Sequence, residues 1–551
     1  MLSKYPSAPR VRAATFRTLS FSTLAILGLS GCGGSSDDSP TGGPDTGNPE
    51  NQTLSGVVRN YYTGDPVPNA AVTATTAGRG ALETVTTDAN GRFAFNAPGE
   101  LERIAVNASA NGFGDTSVIA GERLSWNNEN LELSLLPADV TDTFNAGQAV
   151  ALSVDGVDLV ELDANSFVDS DGNPYSGNVT AHLTVIDPSG DPSRMPGGYE
   201  AIGADGEEGL MESWGAITAT FHGEAGDNLQ LAEGRSATIR IPIADARSPS
   251  LSPWNIPLFY FDQQDTIWRE EGSAQKVEQN GEWFYEGTVN HFTSWNADVL
   301  YDAITISGRV VDEAGNPIAD AIVRSQGQDY IGGSSTRTAA DGTFSLQVRP
   351  DSELLISATR LTLSNTREIT VGNSDTTLSE DLVLFQASVA LTLTWGQNPS
   401  DLDSHLYGPA NADGSEEFHL YFANKTEIYD DATINLDVDD TRSFGPEVTT
   451  VSRFPYPGTY RYMVKRYAGS GTISDSPARV ELSIDGETQV FSPANAQGSE
   501  GDWWHVVNFV VDTDGSVTTQ VVQEWNNNVG FLGLPSHQNT QTKQPIKSYA
   551  H

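Results

Sequence analysis

One pattern occurs twice in this chain, and it leaves little freedom about what the chain can become. Leu54-Ser55-Gly56-Val57-Val58 leads through Gly64-Asp65-Pro66-Val67-Pro68 to Ala71-Val72, and nineteen residues beyond Val72 stands Gly91, just ahead of Phe93. Ile306-Ser307-Gly308-Arg309-Val310-Val311 leads through Gly315-Asn316-Pro317-Ile318-Ala319 to Ile322-Val323, and nineteen residues beyond Val323 stands Gly342, just ahead of Phe344. Each copy reads as a strand, a proline turn, a second strand, and a glycine turn that lets Phe93 or Phe344 enter a core from the next strand. Glycine suits such a turn because it tolerates positive φ.

Both copies resemble the carboxypeptidase regulatory-like domain. The resemblance implies two small seven-stranded transthyretin-like sandwiches, at residues 53–137 and 301–386. In that family the module is a spacer, a stabiliser or a loose binder without catalysis, so both copies read as stalk segments. The text between and after them is also β. Short alternating runs are separated by turns such as Asp171-Gly172 and Asp485-Gly486, and there is no long amphipathic helical pattern. The fold class expected is all-β, a multidomain chain of β-sandwich modules behind a signal peptide and a flexible tether.

Residues 138–300 form an aromatic-rich β domain. Trp254, Trp268, Trp283 and Trp295 admit two readings. Alternating tryptophans can fill a sandwich core that has no disulfide to help it, or they can lie exposed and stack on sugar rings. His291, Ser294 and Asp298 sit close together in sequence, but a triad converges from separate elements. No Gly-x-Ser-x-Gly or His-Glu-x-x-His pattern accompanies them.

Residues 387–526 carry the most chemical sequence. In Asp401-Leu402-Asp403-Ser404-His405-Leu406, an extended chain places Asp401, Asp403 and His405 on one face. Leu436-Asp437-Val438-Asp439 repeats the device, and Gly445-Pro446-Glu447 follows. Two acidic faces of this kind can converge on calcium, which takes six to eight oxygens, and His405 leaves room for a transition metal. The candidate metal ligands are Asp401, Asp403, His405, Asp437, Asp439 and Glu447. The competing reading is a hydrogen-bonded corner without an ion. Paired carboxylates also serve glycoside hydrolysis, but no groove of exposed aromatics accompanies them here. The segment resembles the YfaP-type domain through Trp395, these acidic runs, Gly445-Pro446-Glu447 and Pro457-Gly458-Thr459-Tyr460. Ser404 departs from it, standing where that family often has an apolar residue. The resemblance implies an envelope β-sandwich with no established reaction. Residues 527–551 read as a polar tail.

The single cysteine sets the location. Cys32 follows a short apolar run, with Lys4, Arg10, Arg12 and Arg17 ahead of it and no acid. The pattern reads as a secretory signal over residues 1–31, whose apolar core, roughly Leu19 to Leu29, is too short to span a bilayer. It resembles the lipobox of bacterial lipoproteins, which implies cleavage before Cys32 and its acylation. Gly33, where an aspartate would favour the inner membrane, points to the outer membrane. Residues 32–52 then form the acylated cysteine and a flexible tether.

The chain has 73 acidic and 30 basic residues, a net charge of −43. Loss of the signal makes it four units more negative. Such a surface repels nucleic acid. The expected partners are the membrane, through the lipid, and an envelope protein or polysaccharide. The reading is a non-catalytic envelope lipoprotein for display, spacing and binding, periplasmic or surface-facing. A carbohydrate-binding or adhesion protein with a calcium-stabilised C-terminal domain is the alternative, and a hydrolase the third.

Overall fold

The computed structural model describes residues 52–76, 80–97, 103–122, 130–360, 362–363, 366–385, 389–484 and 487–526. The expectations for the signal peptide, for Cys32 and for the polar tail lie outside these residues. Among the described residues the regular structure is strand, with two short 3₁₀ turns and no α-helix. None of their elements is a helix long and apolar enough to cross a membrane.

The two repeat copies fold alike. In the first, Gln52–Asn60 pairs antiparallel with Arg92–Ala97 and parallel with Asn130–Leu135. In the second, Ile304–Asp312 pairs antiparallel with Thr343–Val348 and parallel with Leu382–Leu384. A second sheet faces each set, built on Ala71–Thr76 in one copy and Ile322–Gly327 in the other. The repeated glycines have matching reasons. Gly56 lies opposite Phe93 and Gly308 opposite Phe344, and a Cβ at either would meet the phenylalanine ring at 2.7 or 2.6 Å. The bare backbone is the seat of the ring. Gly91 and Gly342 have φ of +71° and +77°, and each sits under a strand carbonyl that a Cβ would strike at 2.5 Å. Thr87 and Thr338 close the same corner, each hydroxyl taking the N–H of Ala70 or Ala321 at 2.8 Å.

The middle region is an eleven-stranded sheet running from Val140–Asn145 at one end to Val150–Val154 at the other, with a separate two-stranded pair, Phe167–Val168 with Gln230–Leu231. Residues from both ends, Val179 and Leu183 with Leu152 and Val160, share a single core with Tyr285 and Trp295. The sheet therefore curls over its own interior. The opposite face of part of this sheet builds a second core around Phe259, Phe261 and Trp268, which Tyr61 of the first repeat copy and Ile331 of the second both enter.

The C-terminal region is a two-layer sandwich. One layer orders Thr426–Tyr429, Ala432–Val438, Glu447–Val451, Val389–Thr394, Arg479–Ile484 and Glu487–Phe491; the other orders Glu417–Leu420, Asp401–Pro409, Gly458–Ala468, Trp503–Val511 and Val517–Trp525. Leu391, Leu393, Trp395, Tyr460, Tyr462 and Trp504 fill the space between them. Tyr460 donates its hydroxyl to the Tyr456 carbonyl at 2.8 Å, a tyrosine corner that pins the entry to its strand.

The stalk expectation does not hold for the described residues. The modules pack around shared joints, and the C-terminal sandwich reaches back to the first repeat copy. Arg479 Nε donates to the Tyr61 carbonyl at 3.1 Å, and the Tyr61 hydroxyl donates to Asp191 of the middle region at 2.6 Å. The guanidinium groups of Arg194 and Arg479 lie 4.8 and 4.7 Å from the Tyr61 ring centroid. Tyrosine suits such a joint because it pairs an apolar body with a polar tip.

Candidate metal centre

The strand Asp401–Pro409 sends Leu402 and Leu406 into the sandwich core. It pairs along its length with Gly458–Ala468, but its other edge meets Glu417–Leu420 only from Leu406 onward. Around Asp403 and Ser404 that edge is bare, and a buried N–H there needs an acceptor. Glu447 supplies it. Its Oε2 takes the Ser404 N–H, and the Ser404 hydroxyl lies 2.7 Å from the Tyr462 hydroxyl. Gly445 steers Glu447 into place: its φ is +77°, and a Cβ there would come within 2.6 Å of the Trp395 ring.

This folding brings one oxygen each from Asp403, Asp439 and Glu447 within 4.8 Å of one another. Glu447 is 0% exposed and Asp403 2%. Asp403 Oδ2, Asp439 Oδ1 and Glu447 Oε1 find no hydrogen-bond partner, nor does Asp401 Oδ1. Buried carboxylates are normally paired, and two of them about 5 Å apart repel by about 3 kcal/mol at an effective dielectric of about 20. Burial, with the charges of Asp401 and Asp439, pushes Asp403 up to about 7. Burial raises Glu447 well above the usual carboxylate range, partly offset by Ser404. Asp401 is raised by burial and by Asp439 and Asp440. Two cations act on the group: Lys425, half exposed, whose Nζ is 2.7 Å from Asp439 Oδ2, and Lys465, whose charge favours ionised Asp403. A cluster with this many unmet oxygens can hold a divalent cation.

The six expected ligands divide. Asp403, Asp439 and Glu447 come together, with Asp401 beside them. Asp437 does not join them: its Oδ2 accepts from the Thr450 hydroxyl at 2.7 Å and from the Thr366 N–H at 3.4 Å. Burial, only partly offset by Thr450 and Thr366, pushes it up to about 7. The cause is a register shift between Leu436 and Val438. A bulge reverses the alternation, so Asp439 turns toward Asp403 while Asp437 turns away. His405 lies beside the group, with Nε2 3.8 Å from Asp403 Oδ2, beyond hydrogen-bond reach. Its Nδ1 is 2.7 Å from His419 Nε2. Burial pushes His405 down to about 3, helped by His419 and Lys465, so it is neutral.

The four tryptophans do not form one strip, which corrects the sugar-stacking set. Trp268 and Trp295 are fully buried, the first donating Nε1 to the carbonyls of Pro196 and Gly198 at 3.0 Å. A ring enclosed by protein cannot stack on a sugar. Trp254 is 71% exposed, and Trp283 half-buried beside it at 6.2 Å. Lys276 Nζ lies 4.3 Å from the Trp254 centroid and 5.2 Å from that of Trp283. His291, Ser294 and Asp298 make no triad: Ser294 engages Thr218 at 2.7 Å, His291 faces Glu271, and Asp298 is fully buried.

Sequence reasoning missed an aromatic patch near the acidic cluster. Tyr407, His419 and Tyr421 stack at centroid spacings of 4.1 and 4.0 Å, and Phe422 and Tyr467 extend the patch into solvent. Alternation around His405 places Tyr407 on the same face, but the other rings come from strands distant in sequence.

The model of the carboxypeptidase regulatory-like domain matches residues 53–134 and 305–384. No curated protein matches the chain. Among solved structures, the Bacillus anthracis TIE protein is similar at 10% identity and a TM-score of 0.14. That alignment covers 61% of this chain and 50% of the TIE chain, so this chain spans half of that structure's length. BcpA, the major pilin subunit of Bacillus cereus, is similar at 9% identity and a TM-score of 0.14, covering 61% of this chain and 99% of that one. A Ca2+-stabilized adhesin of an Antarctic bacterium aligns over 86% of this chain and 99% of its own at 10% identity, with a TM-score of 0.09. At these TM-scores nothing about the role of this chain follows from them.

Proposed function

We propose that this is a non-catalytic, lipid-anchored protein of the bacterial cell envelope whose C-terminal domain binds calcium. The reading divides the chain into a signal (1–31), an acylated Cys32 with its tether (32–52), regulatory-like sandwiches at 53–137 and 301–386, the aromatic-rich domain at 138–300, a YfaP-type domain at 387–526, and a polar tail. The observation that carries it is the meeting of Asp403, Asp439 and Glu447 with buried oxygens left unpartnered. Calcium suits the group better than magnesium because it accepts six to eight oxygens in flexible geometry, where magnesium demands a near-ideal octahedron and keeps several waters. An all-oxygen group also disfavours a transition metal, and His405 then acts beside the site and not in it. Asp437 is left out of the ligand set.

The test is a calcium titration of the purified chain by calorimetry, paired with thermal unfolding in calcium and in chelator. A ligand at about a hundredfold over its Kd stabilises by about 2.7 kcal/mol. No heat of binding and no thermal shift at millimolar calcium would return the cluster to a hydrogen-bonded corner. The anchor is tested separately, by intact mass of the protein from its native membrane. The outer membrane is the expected site, with the module faces open to an envelope protein or polysaccharide.

The exposed rings of Phe422 and Tyr467, 5.3 Å apart, favour a second reading, carbohydrate binding at the C-terminal domain. Retardation in polysaccharide gels that disappears in Tyr467→Ala would support it. Unchanged migration of the native protein would remove it.

A further inference from the structure

We infer that calcium at Asp403, Asp439 and Glu447 locks the C-terminal sandwich against the second regulatory-like sandwich, so that losing the ion loosens this joint. The inference rests on the calcium reading above and adds a consequence to it.

One stretch of chain serves both purposes. Residues 437–448 deliver two of the three clustered carboxylates, Asp439 and Glu447. The same residues make the joint. Val438 and Val448 close on Leu355 of the second sandwich in a small buried cluster of their own. Asp437 accepts the Thr366 N–H of that sandwich at 3.4 Å, and Arg442 Nη1 lies 3.5 Å from its Glu353. The bulge after Leu436 makes the sharing possible. Asp437 and Val438 are sent toward the neighbouring module and Asp439 toward Asp403, so no ligand can shift without dragging a joint residue one or two positions away.

The turn in this stretch is strained and pinned from outside, the Ser443 and Phe444 N–H groups donating to the Ser400 and Gly396 carbonyls at 2.9 and 3.3 Å. Ser443, Phe444 and Gly445 are consecutive at φ of +76°, +70° and +77°. Serine and phenylalanine adopt such angles only when their surroundings impose them. Three convergent carboxylates without an ion push the two ends of the stretch away from Asp403, and an ion pulls both toward it. A further joint of the C-terminal sandwich, Arg479 to the Tyr61 carbonyl, involves no clustered carboxylate and provides an internal reference.

Hydrogen exchange of the whole protein, in calcium and in chelator, tests this. Peptides over residues 354–356 and 366–371 contain none of the clustered ligands. They are expected to exchange about tenfold more slowly with calcium, while peptides around Tyr61 and Arg479 change little. Calcium binding by calorimetry with unchanged exchange at 354–356 would overturn the inference and leave the calcium site standing. Absence of binding would overturn both. Coupling is reciprocal, so loosening the joint must weaken calcium. Leu355→Ala and Arg442→Ala are expected to lower calcium affinity about fivefold. Folded variants of both with native affinity would also overturn the inference.

Discussion

Asp298 in the middle region and the Asp403–Asp439–Glu447 group in the C-terminal sandwich are both buried acids, and they solve burial in opposite ways. Asp298 has the charge of Glu212 near it but belongs to no convergent group of three acids among the described residues. Its oxygens make no hydrogen bond of good geometry, Ser213 and the Trp214 N–H only partly offset desolvation, and its pKa is driven well above the carboxylate range. Arg247 nearby is committed to Glu212 at 2.7 Å. Burial of such a group favours its neutral form. The C-terminal acids bring several oxygens to one point, where protonating one relieves only part of the repulsion. Burial alone therefore does not mark an ion site; convergence of unmet oxygens does.

The comparison can be broken most directly at Glu447. Glu447→Ala removes a ligand and the acceptor of the Ser404 N–H. It is expected to abolish the calcium-dependent thermal shift, a loss of about 3 kcal/mol at saturating ion, read by calorimetric unfolding. Next in size is Asp403→Asn. Without calcium it relieves like-charge repulsion and is expected to stabilise the C-terminal sandwich by about 1–3 kcal/mol, while lowering calcium affinity. A destabilised calcium-free variant would mean that the three acids do not repel as their geometry implies.

Asp298 supplies the contrast through pH. Its folded pKa lies above its unfolded one, so its contribution is complete below the ordinary carboxylate range and is lost as pH rises toward the folded value. Asp298→Asn is expected to flatten that part of the stability–pH curve and to leave calcium binding untouched. The smallest effect sharpens the ligand set: Asp437→Asn is expected to change the direct enthalpy of calcium binding little, since Asp437 is spent on Thr450 and Thr366. Trp254→Ala, at an exposed ring, is expected to change stability by no more than about 0.5 kcal/mol.

What was legible in the sequence follows the range of the forces involved. The repeat frame rests on neighbours: Gly91 and Gly342 at their turns, and Phe93 and Phe344 one residue past the turn's end. Turn chemistry is local and survives in the text. The acidic site was legible up to the bulge. Alternation puts Asp401 and Asp403 on one face, but nothing in Leu436-Asp437-Val438 marks an extra residue in the ladder, and that residue is what sends Asp437 to Thr450 and Thr366. Alternation also cannot tell which face of a curled sheet lies inside, which is why Trp268 and Trp254 looked equivalent. The aromatic patch and the joints between modules depend on residues far apart in the chain, Arg479 and Tyr61 above all.

That last contact has a mechanical meaning. Because the final sandwich grips the first, the modules form a closed ring of attachments and not a series. A pull applied between residues 52 and 526 would be borne first by the Tyr61–Arg479 clasp, with the intervening modules slack until it parts. Extension would then begin as rupture of this one interface, where Gly64 also lies against Val490 and Arg92 beside Glu487, before any sandwich gives way.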